Sequence, residues 1–235
     1  VGLGFRECCH YSLRDGKEIE AWHGKETLDS LALANPLTSE HTHLRASLIP
    51  GLIEALAHNQ RNHNDLRRVF ETGRVLRPGP KGVVELLGVA FAILTKPTAR
   101  EWKPEMAPDF HEAKRCANHL LAATGLAMPK GGLQSPEDST AWQADHAAVA
   151  GKVNQNRVEV TMGFCNLSLT REKGVSGPIL ACELLVDSVA LGRKTKSAKF
   201  RAFGSFPPLS RILRSSLTPT FPPRRCARRS SKPPK

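Results

Sequence analysis

No apolar run in the 235-residue sequence approaches the roughly 18 residues that cross a bilayer; the longest candidate, Val83 to Leu94, is too short. The opening VGLGFRECCHYS lacks the charged-then-apolar layout of a signal peptide. Nothing in the sequence points to export or to a membrane, and a cytoplasmic location is expected. Cysteine is sparse and scattered. Cys8, Cys9, Cys116, Cys165, Cys182 and Cys226 include no C-x-x-C pair and no zinc spacing, which reads as free thiols in a reducing compartment. Aromatics are few as well: Trp22, Trp102 and Trp142 are the only tryptophans and Tyr11 the only tyrosine, too little for a base-stacking platform. Acidic residues stop at Asp187. Residues 188–235 hold 13 Lys+Arg, leaving 21 basic residues against all 22 acids in residues 1–187. The net charge of +12 therefore belongs to the tail, which as written could contact several phosphates in a salt-dependent way.

What is present suits one substantial domain, or one domain plus a fragment, because a 40% hydrophobic chain of this length can bury a core without disulfides. Phe5 to Leu13 reads as a short strand and Asp15-Gly16 as a turn leading into a connecting segment. Ser47 is placed to cap a helix whose apolar residues Leu48, Leu52, Ile53, Leu56 and Ala57 share one face. Pro50 in its first turn costs little, and Gly51, unfavourable by about 1 kcal/mol against alanine, signals close packing. LRRVFETGRVL and GVVELLGVAFAIL read as successive strands around Pro78-Gly79-Pro80. The clearest helix is PDFHEAKRCANHLLAATG, with Asp109 as cap, Glu112 three residues on, an apolar face of Phe110, Ala113, Ala117, Leu120 and Leu121, and Gly125 as terminator. After a Gly/Pro-rich loop, Met128 to Pro136, RVEVTMGFCNLSL and PILACELLVDSVAL alternate as strands. Strands interleaved with two long helices indicate an α+β or mixed domain rather than a bundle.

Read in order, several segments carry a resemblance. They are GFRECCHYSL; NPLTSEHTHLRASLIPGLIEALAHNQ with its Leu44-Arg45-x-Ser47-Leu48-x-Pro50-Gly51-Leu52 signature; DLRRVFETGRV; DFHEAKRCANHLL; CELLVD; and FPPLSR. Together they resemble the C-terminal half of the β subunit of bacterial phenylalanine–tRNA ligase over about residues 1 to 211, the signature being the specific part. The resemblance implies a non-catalytic copy of a class II synthetase core, an antiparallel sheet flanked by helices, over residues 1–198. It further implies the start of a ferredoxin-like anticodon-binding domain at 199–211. The implied partners are the catalytic α subunit, in an α2β2 enzyme, and tRNA(Phe) through the complex. ATP and magnesium serve the whole enzyme, with none expected on this fragment, and no catalytic, cofactor-binding or metal residue is assigned. The first residue, Val1, agrees with a piece of a longer chain. Where the family has a His-Pro-Gly-Arg-like turn, this sequence reads His146-Ala147-Ala148-Val149-Ala150-Gly151.

The residues themselves favour the non-catalytic reading. Adenylate formation needs cations on ATP phosphates; Arg67, Arg68 and Arg74 stand in an arginine-motif-like segment, but no G-x-G-x-G-x-x-R follows. Those arginines are expected to pair with local acids or to face solvent or a partner. His41, His43, His58 and His63 lack a Cys, Asp or Glu at ligand spacing. Cys116, beside Arg115 and on the helix of His119, reads as a packed cysteine rather than a nucleophile. Glu183 and Asp187 lie four apart on a strand-like segment; the resemblance implies a structural role, since the family uses a similar acidic strand structurally, and a general acid/base pair is the lesser reading.

The tail, ILRSSLTPTFPPRRCARRSSKPPK, replaces the expected strand after FPPLSR. If one nucleotide is missing at the Arg211 codon, residues 212–235 decode, with only wobble positions free, as DLALVVDADFPAEEVRAAVVKAAK, a strand, a turn and an amphipathic helix. The tail is therefore read as a frameshift product, and as written it is expected to be disordered, lacking apolar surface to offset ordering entropy. The alternative to the subunit reading is a stand-alone RNA-binding or scaffold protein with a degenerate synthetase core and a basic tail.

Overall fold

The computed structural model describes residues 2–79, 82–95, 108–136, 140–153 and 157–187. The two strands expected around Pro78-Gly79-Pro80 form its centre, though Pro78 and Gly79 are not a turn but the end of the first strand, paired with Val83 and Gly82. They belong to a six-stranded sheet in the order β1 (Arg6–Glu7), β4 (Arg68–Gly79), β5 (Gly82–Leu94), β8 (Ile179–Val186), β7 (Val158–Cys165) and β6 (Trp142–Ala150). Only the short β1–β4 pairing is parallel; the other four are antiparallel. A second, two-stranded sheet joins β2 (Leu13–Arg14) to β3 (His43–Leu44). With the helices α1 (Gly16–Leu31), α2 (Ile49–Arg61), α3 (Phe110–Ala123) and α4 (Leu167–Glu172), the chain is a mixed α+β fold with a mostly antiparallel sheet.

Strand periodicity divides the core in two. Leu86, Ala90 and Ala92 of β5, with Ala181 and Leu185 of β8, point to one face, where Leu52, Ile53 and Leu56 of α2 cover them. Phe91 and Ile93, with Leu180, Cys182 and Leu184, point to the other, under Ala113, Cys116, Ala117 and Leu121 of α3. Both sequence-predicted helices are present. Asp109 accepts a hydrogen bond from the Glu112 amide at 3.0 Å, and Gly125 ends α3 at φ 72°. In α2 the helix begins at Ile49, and Ser47 Oγ accepts from the Ile49 amide at 3.1 Å. A Cβ on Gly51 would stand 2.9 Å from the His10 ring, the close packing that this glycine signalled.

Four other expectations change. Phe5 to Leu13 is not one strand, because the chain leaves β4 after Cys8, and the His10 amide turns to the Glu71 carboxylate at 3.3 Å. Asp15-Gly16 is not a turn but the start of α1, with Asp15 accepting from the Lys17 amide at 3.1 Å. Gly24, at φ 79°, breaks this helix, and its buried face mixes Glu18 and Thr27 with Ile19, Trp22 and Leu31, so no clean apolar stripe marks it. The segment containing His146 to Ala150, where the resemblance implies a turn, is strand β6. An irregularity between Trp142 and Ala147, with Asp145 at φ 61°, hides its alternation. Finally, β7 stops at Cys165, and Asn166 caps α4 by accepting from the Ser168 amide at 2.9 Å. The boundary expected near residue 198, the start of a further domain at 199–211 and the tail 212–235 lie outside the described residues.

A ring of charges ties β2, α1, α2 and the end of α4 together. Arg14 donates to both oxygens of the buried Glu18 at 2.6 Å and pairs with Glu54 at 2.8 Å, while Lys173 bonds Glu54 at 2.6 Å and also reaches Glu18. Burial pushes the Glu54 carboxyl up, but Lys173 and Arg14 outweigh it and hold the group below its ordinary value. A carboxylate whose folded value is depressed stabilises the fold above its unfolded value, and that stability disappears as pH falls through the folded one. The thermal midpoint is thus expected to drop between about pH 5 and about pH 3, and the drop should be shallower in Lys173→Met. Parallel melting curves for the two proteins across that range would contradict the assignment.

Candidate functional site

Helix α2 covers only part of its sheet face. Beyond its first turn the sheet floors a cavity of about 500 Å³, with Arg77 on β4, Glu183 on β8, and Glu159 and Thr161 on β7. The register dictates this grouping: Thr161 lies opposite Glu183, and Glu159 opposite Leu185. Trp22, His23 and Glu26 of α1 form one wall, and Trp142 with Gln134 to Pro136 forms another.

The residues of the Leu44 to Leu52 signature hold this face together. Arg45 Nη1 donates to Glu71 Oε1 at 2.7 Å, and its Nε donates to the Arg74 carbonyl at 2.8 Å. His10 Nδ1 lies 2.5 Å from the other Glu71 oxygen. Gly73 leaves room for that guanidinium, which a Cβ there would strike. Ser47 Oγ and the Leu48 amide both donate to Glu183 Oε1 at 2.8 Å, and Arg77 Nη2 donates to Oε2 at 3.3 Å. Burial pushes the Glu183 carboxyl up, against the pull of Arg77, the Leu48 amide and Ser47. Leu48 and Leu52 fill the core beneath. The signature is thus a folding device that fastens α2 to β4 and β8.

Among the described residues two buried polar atoms at the cavity have no partner. Arg77 Nη1 donates to His23 Nδ1 at 3.2 Å, leaving Arg77 Nε and His23 Nε2 buried and unbonded. Burial, and then the Arg77 charge, push the His23 imidazole well below its ordinary value, so the ring is neutral. Unsatisfied buried groups cost stability, and here they lie beside a cavity.

The arginines singled out from the sequence are elsewhere. Arg67 pairs with Asp65 at 2.8 Å, Arg68 with Glu112 at 2.6 Å, and Arg74 with Glu85 at 2.5 Å. Arg77 was missed, although strand parity could have found it: Val69, Glu71, Val75 and Arg77 alternate onto the α2 face. Glu183 and Asp187 are about 13 Å apart along extended chain, too far to act on one bond. The histidines do not converge: His43 bonds Thr42 at 2.8 Å and His58 bonds Asn62 at 3.2 Å. Among the described residues no group of three or more His, Cys, Asp or Glu is placed to hold a metal ion. Cys116 is packed on the buried face of α3 against the sheet, and burial raises its thiol, as it does for Cys165 and Cys182. Arg115 turns to Glu112 at 3.6 Å. Of the three tryptophans, two meet at the cavity, which the sparse sequence pattern did not suggest; Trp102 lies outside the described residues.

Comparison with known proteins gives a consistent picture. The profile of the family described as phenylalanyl tRNA synthetase beta chain CLM domain matches residues 1–185. The phenylalanine–tRNA ligase beta subunit of Cereibacter sphaeroides is 29% identical over 192 residues, covering 81% of this chain and 23% of the relative. That of Pseudomonas fluorescens is 27% identical over 215 residues, covering 91% and 26%. The chain spans about a quarter of the length of these curated relatives. Among solved structures, pyrrolysyl-tRNA synthetase from Desulfitobacterium hafniense superposes with a TM-score of 0.55 at 14% identity, over 78% of this chain and 61% of that one, a likeness of fold. Among the described residues no helix is long and apolar enough to cross a membrane.

Proposed function

Because the chain belongs to the phenylalanyl-tRNA synthetase beta chain family, we propose that it works as the catalytic-like but non-catalytic module of a phenylalanine–tRNA ligase β subunit. In this reading it packs against the catalytic α subunit in a cytoplasmic α2β2 enzyme that joins phenylalanine to tRNA(Phe) with ATP and magnesium. Residues 1–198 form the module, and the α subunit holds the nucleotide and the metal. One observation carries the non-catalytic part. Arg67, Arg68, Arg74 and Arg77, the β4-region arginines that could meet ATP phosphates, are each paired with a carboxylate of the chain itself. An arginine committed in this way is a poor clamp for a transferring phosphoryl or adenylyl group.

Co-expression with the α subunit and size-exclusion chromatography tests the reading. The chain should co-elute with α, and alone it should support no phenylalanine-dependent exchange of pyrophosphate into ATP. Exchange by the chain alone would overturn the non-catalytic role. Failure to bind α, combined with RNA retention that disappears on removal of residues 212–235, would favour the stand-alone RNA-binding protein.

A further inference from the structure

The pairing of Glu183 with Ser47, Leu48 and Arg77 leaves other charges of the cavity uncommitted. Among the described residues Glu159, half-buried on β7, has no hydrogen-bond or ion-pair partner, and neither does the carboxylate of the exposed Glu26 on α1. The cations of the cavity are already engaged: Arg77 spends its terminal nitrogens on Glu183 and His23, and Lys152 has a partner of its own. The free charge facing the cavity is therefore negative. The side chains of Trp22 and Trp142 line the same cavity, with Thr161 beside Glu159 on the β7 part of the floor.

This combination selects among ligands. An anion would meet two uncompensated carboxylates and no available cation. A neutral apolar molecule would bury the Glu159 carboxylate without a partner, which is costly. A small hard metal ion needs a compact set of oxygen ligands, and no such group occurs among the described residues. An organic ammonium fits better, because carboxylates take its N–H groups while indole faces attract its charge and cover its methylenes. A volume of about 500 Å³ lies in the range of small-molecule sites. Arg77 and His23, whose Nε and Nε2 are unbonded among the described residues, line the same cavity.

We propose that this cavity binds a small aliphatic amine or diamine, its ammonium held by Glu159 and Glu26 and its carbon chain packed against Trp22 and Trp142. The site is independent of the subunit role and needs no α subunit.

The test is titration of the full 235-residue chain with 1,4-diaminobutane, followed by calorimetry and tryptophan fluorescence. Saturable binding with a change in fluorescence is expected, and Glu159→Gln should weaken it at least about tenfold. Glu26→Gln, on a more exposed wall, should weaken it less, and serves as the second variant if Glu159→Gln does not fold. Butane-1,4-diol, which has the same chain without charge, should show no binding up to about 10 mM. No saturable diamine binding, equal binding of the diol, or diamine affinity unchanged in the folded variants would each overturn the proposal. Preferential binding of an α-amino acid or a nucleotide would do so too.

Discussion

Glu71→Ala is expected to destabilise the chain by about 3–5 kcal/mol, read as a lowered midpoint and extrapolated stability in urea denaturation. The side chain is 3% exposed and accepts from Arg45 at 2.7 Å while lying 2.5 Å from His10. Its removal leaves a buried guanidinium with only carbonyl partners, the situation in which breaking a buried pair costs most. Arg45→Ala should cost a similar amount, and the double variant clearly less than the sum, because the two deletions remove one interaction. An acid signature should accompany the wild type. Burial raises the Glu71 carboxyl, but hydrogen bonds with His10 and Arg45 more than compensate and hold it below its ordinary value. Its contribution is therefore present at neutral pH and lost as pH falls through that lowered value. Arg74→Ala is the control. Its partner Glu85 is also exposed, so a change within about 0.5 kcal/mol is expected. Equal effects for Glu71→Ala and Arg74→Ala would remove the buried network from the account of the fold.

Gly163→Ala should cost about 3 kcal/mol and loosen one edge of the sheet. Gly163 sits on β7 between Ala147 of β6 and Ala181 of β8, with φ at 152°. A Cβ there would overlap the His146 carbonyl oxygen and the Ala147 Cα, both backbone, so no side-chain rotation can relieve it. Strand β6 would have to move away from β7, and with it Trp142 at the rim of the cavity. The comparison is Gly132→Ala: φ there is 80° and nothing lies within 4 Å of the added carbon. That variant bears the conformational strain alone, about 1–2 kcal/mol. Hydrogen exchange distinguishes the two, since faster exchange across β6 is expected only for Gly163→Ala. Matching stabilities for the two alanine variants would show that the strand contact does not carry the effect.

Sequence and structure contributed different parts. Long periodic elements were legible because local signals agreed. In α3 the Asp109 cap, the apolar spacing and Gly125 all pointed to one helix, and in β4 and β5 the strand-like patterning pointed to a hairpin, although Pro78 and Gly79 proved to be paired strand residues rather than its turn. The Leu44 to Leu52 signature identified the family before any fold was available, since its run of residues is rare. Irregular elements escaped. Helix α1 is broken at Gly24 and buries polar groups, and β6 carries a bulge, so neither presents the clean period on which sequence reading depends. The partners of the signature escaped as well, because they are distant in the chain: Arg45 meets Glu71 across 26 residues, and Ser47 meets Glu183 across 136. The cavity is the extreme case. Trp22, Arg77, Trp142 and Glu159 come from four separate segments and share no local pattern. By itself the sequence determined the α+β class, the family and the main helices and strands, all of which depend on local period and side-chain order. Only the tertiary structure decided which charges are spent on folding and which remain free, because that depends on strand register and on which faces the helices leave uncovered.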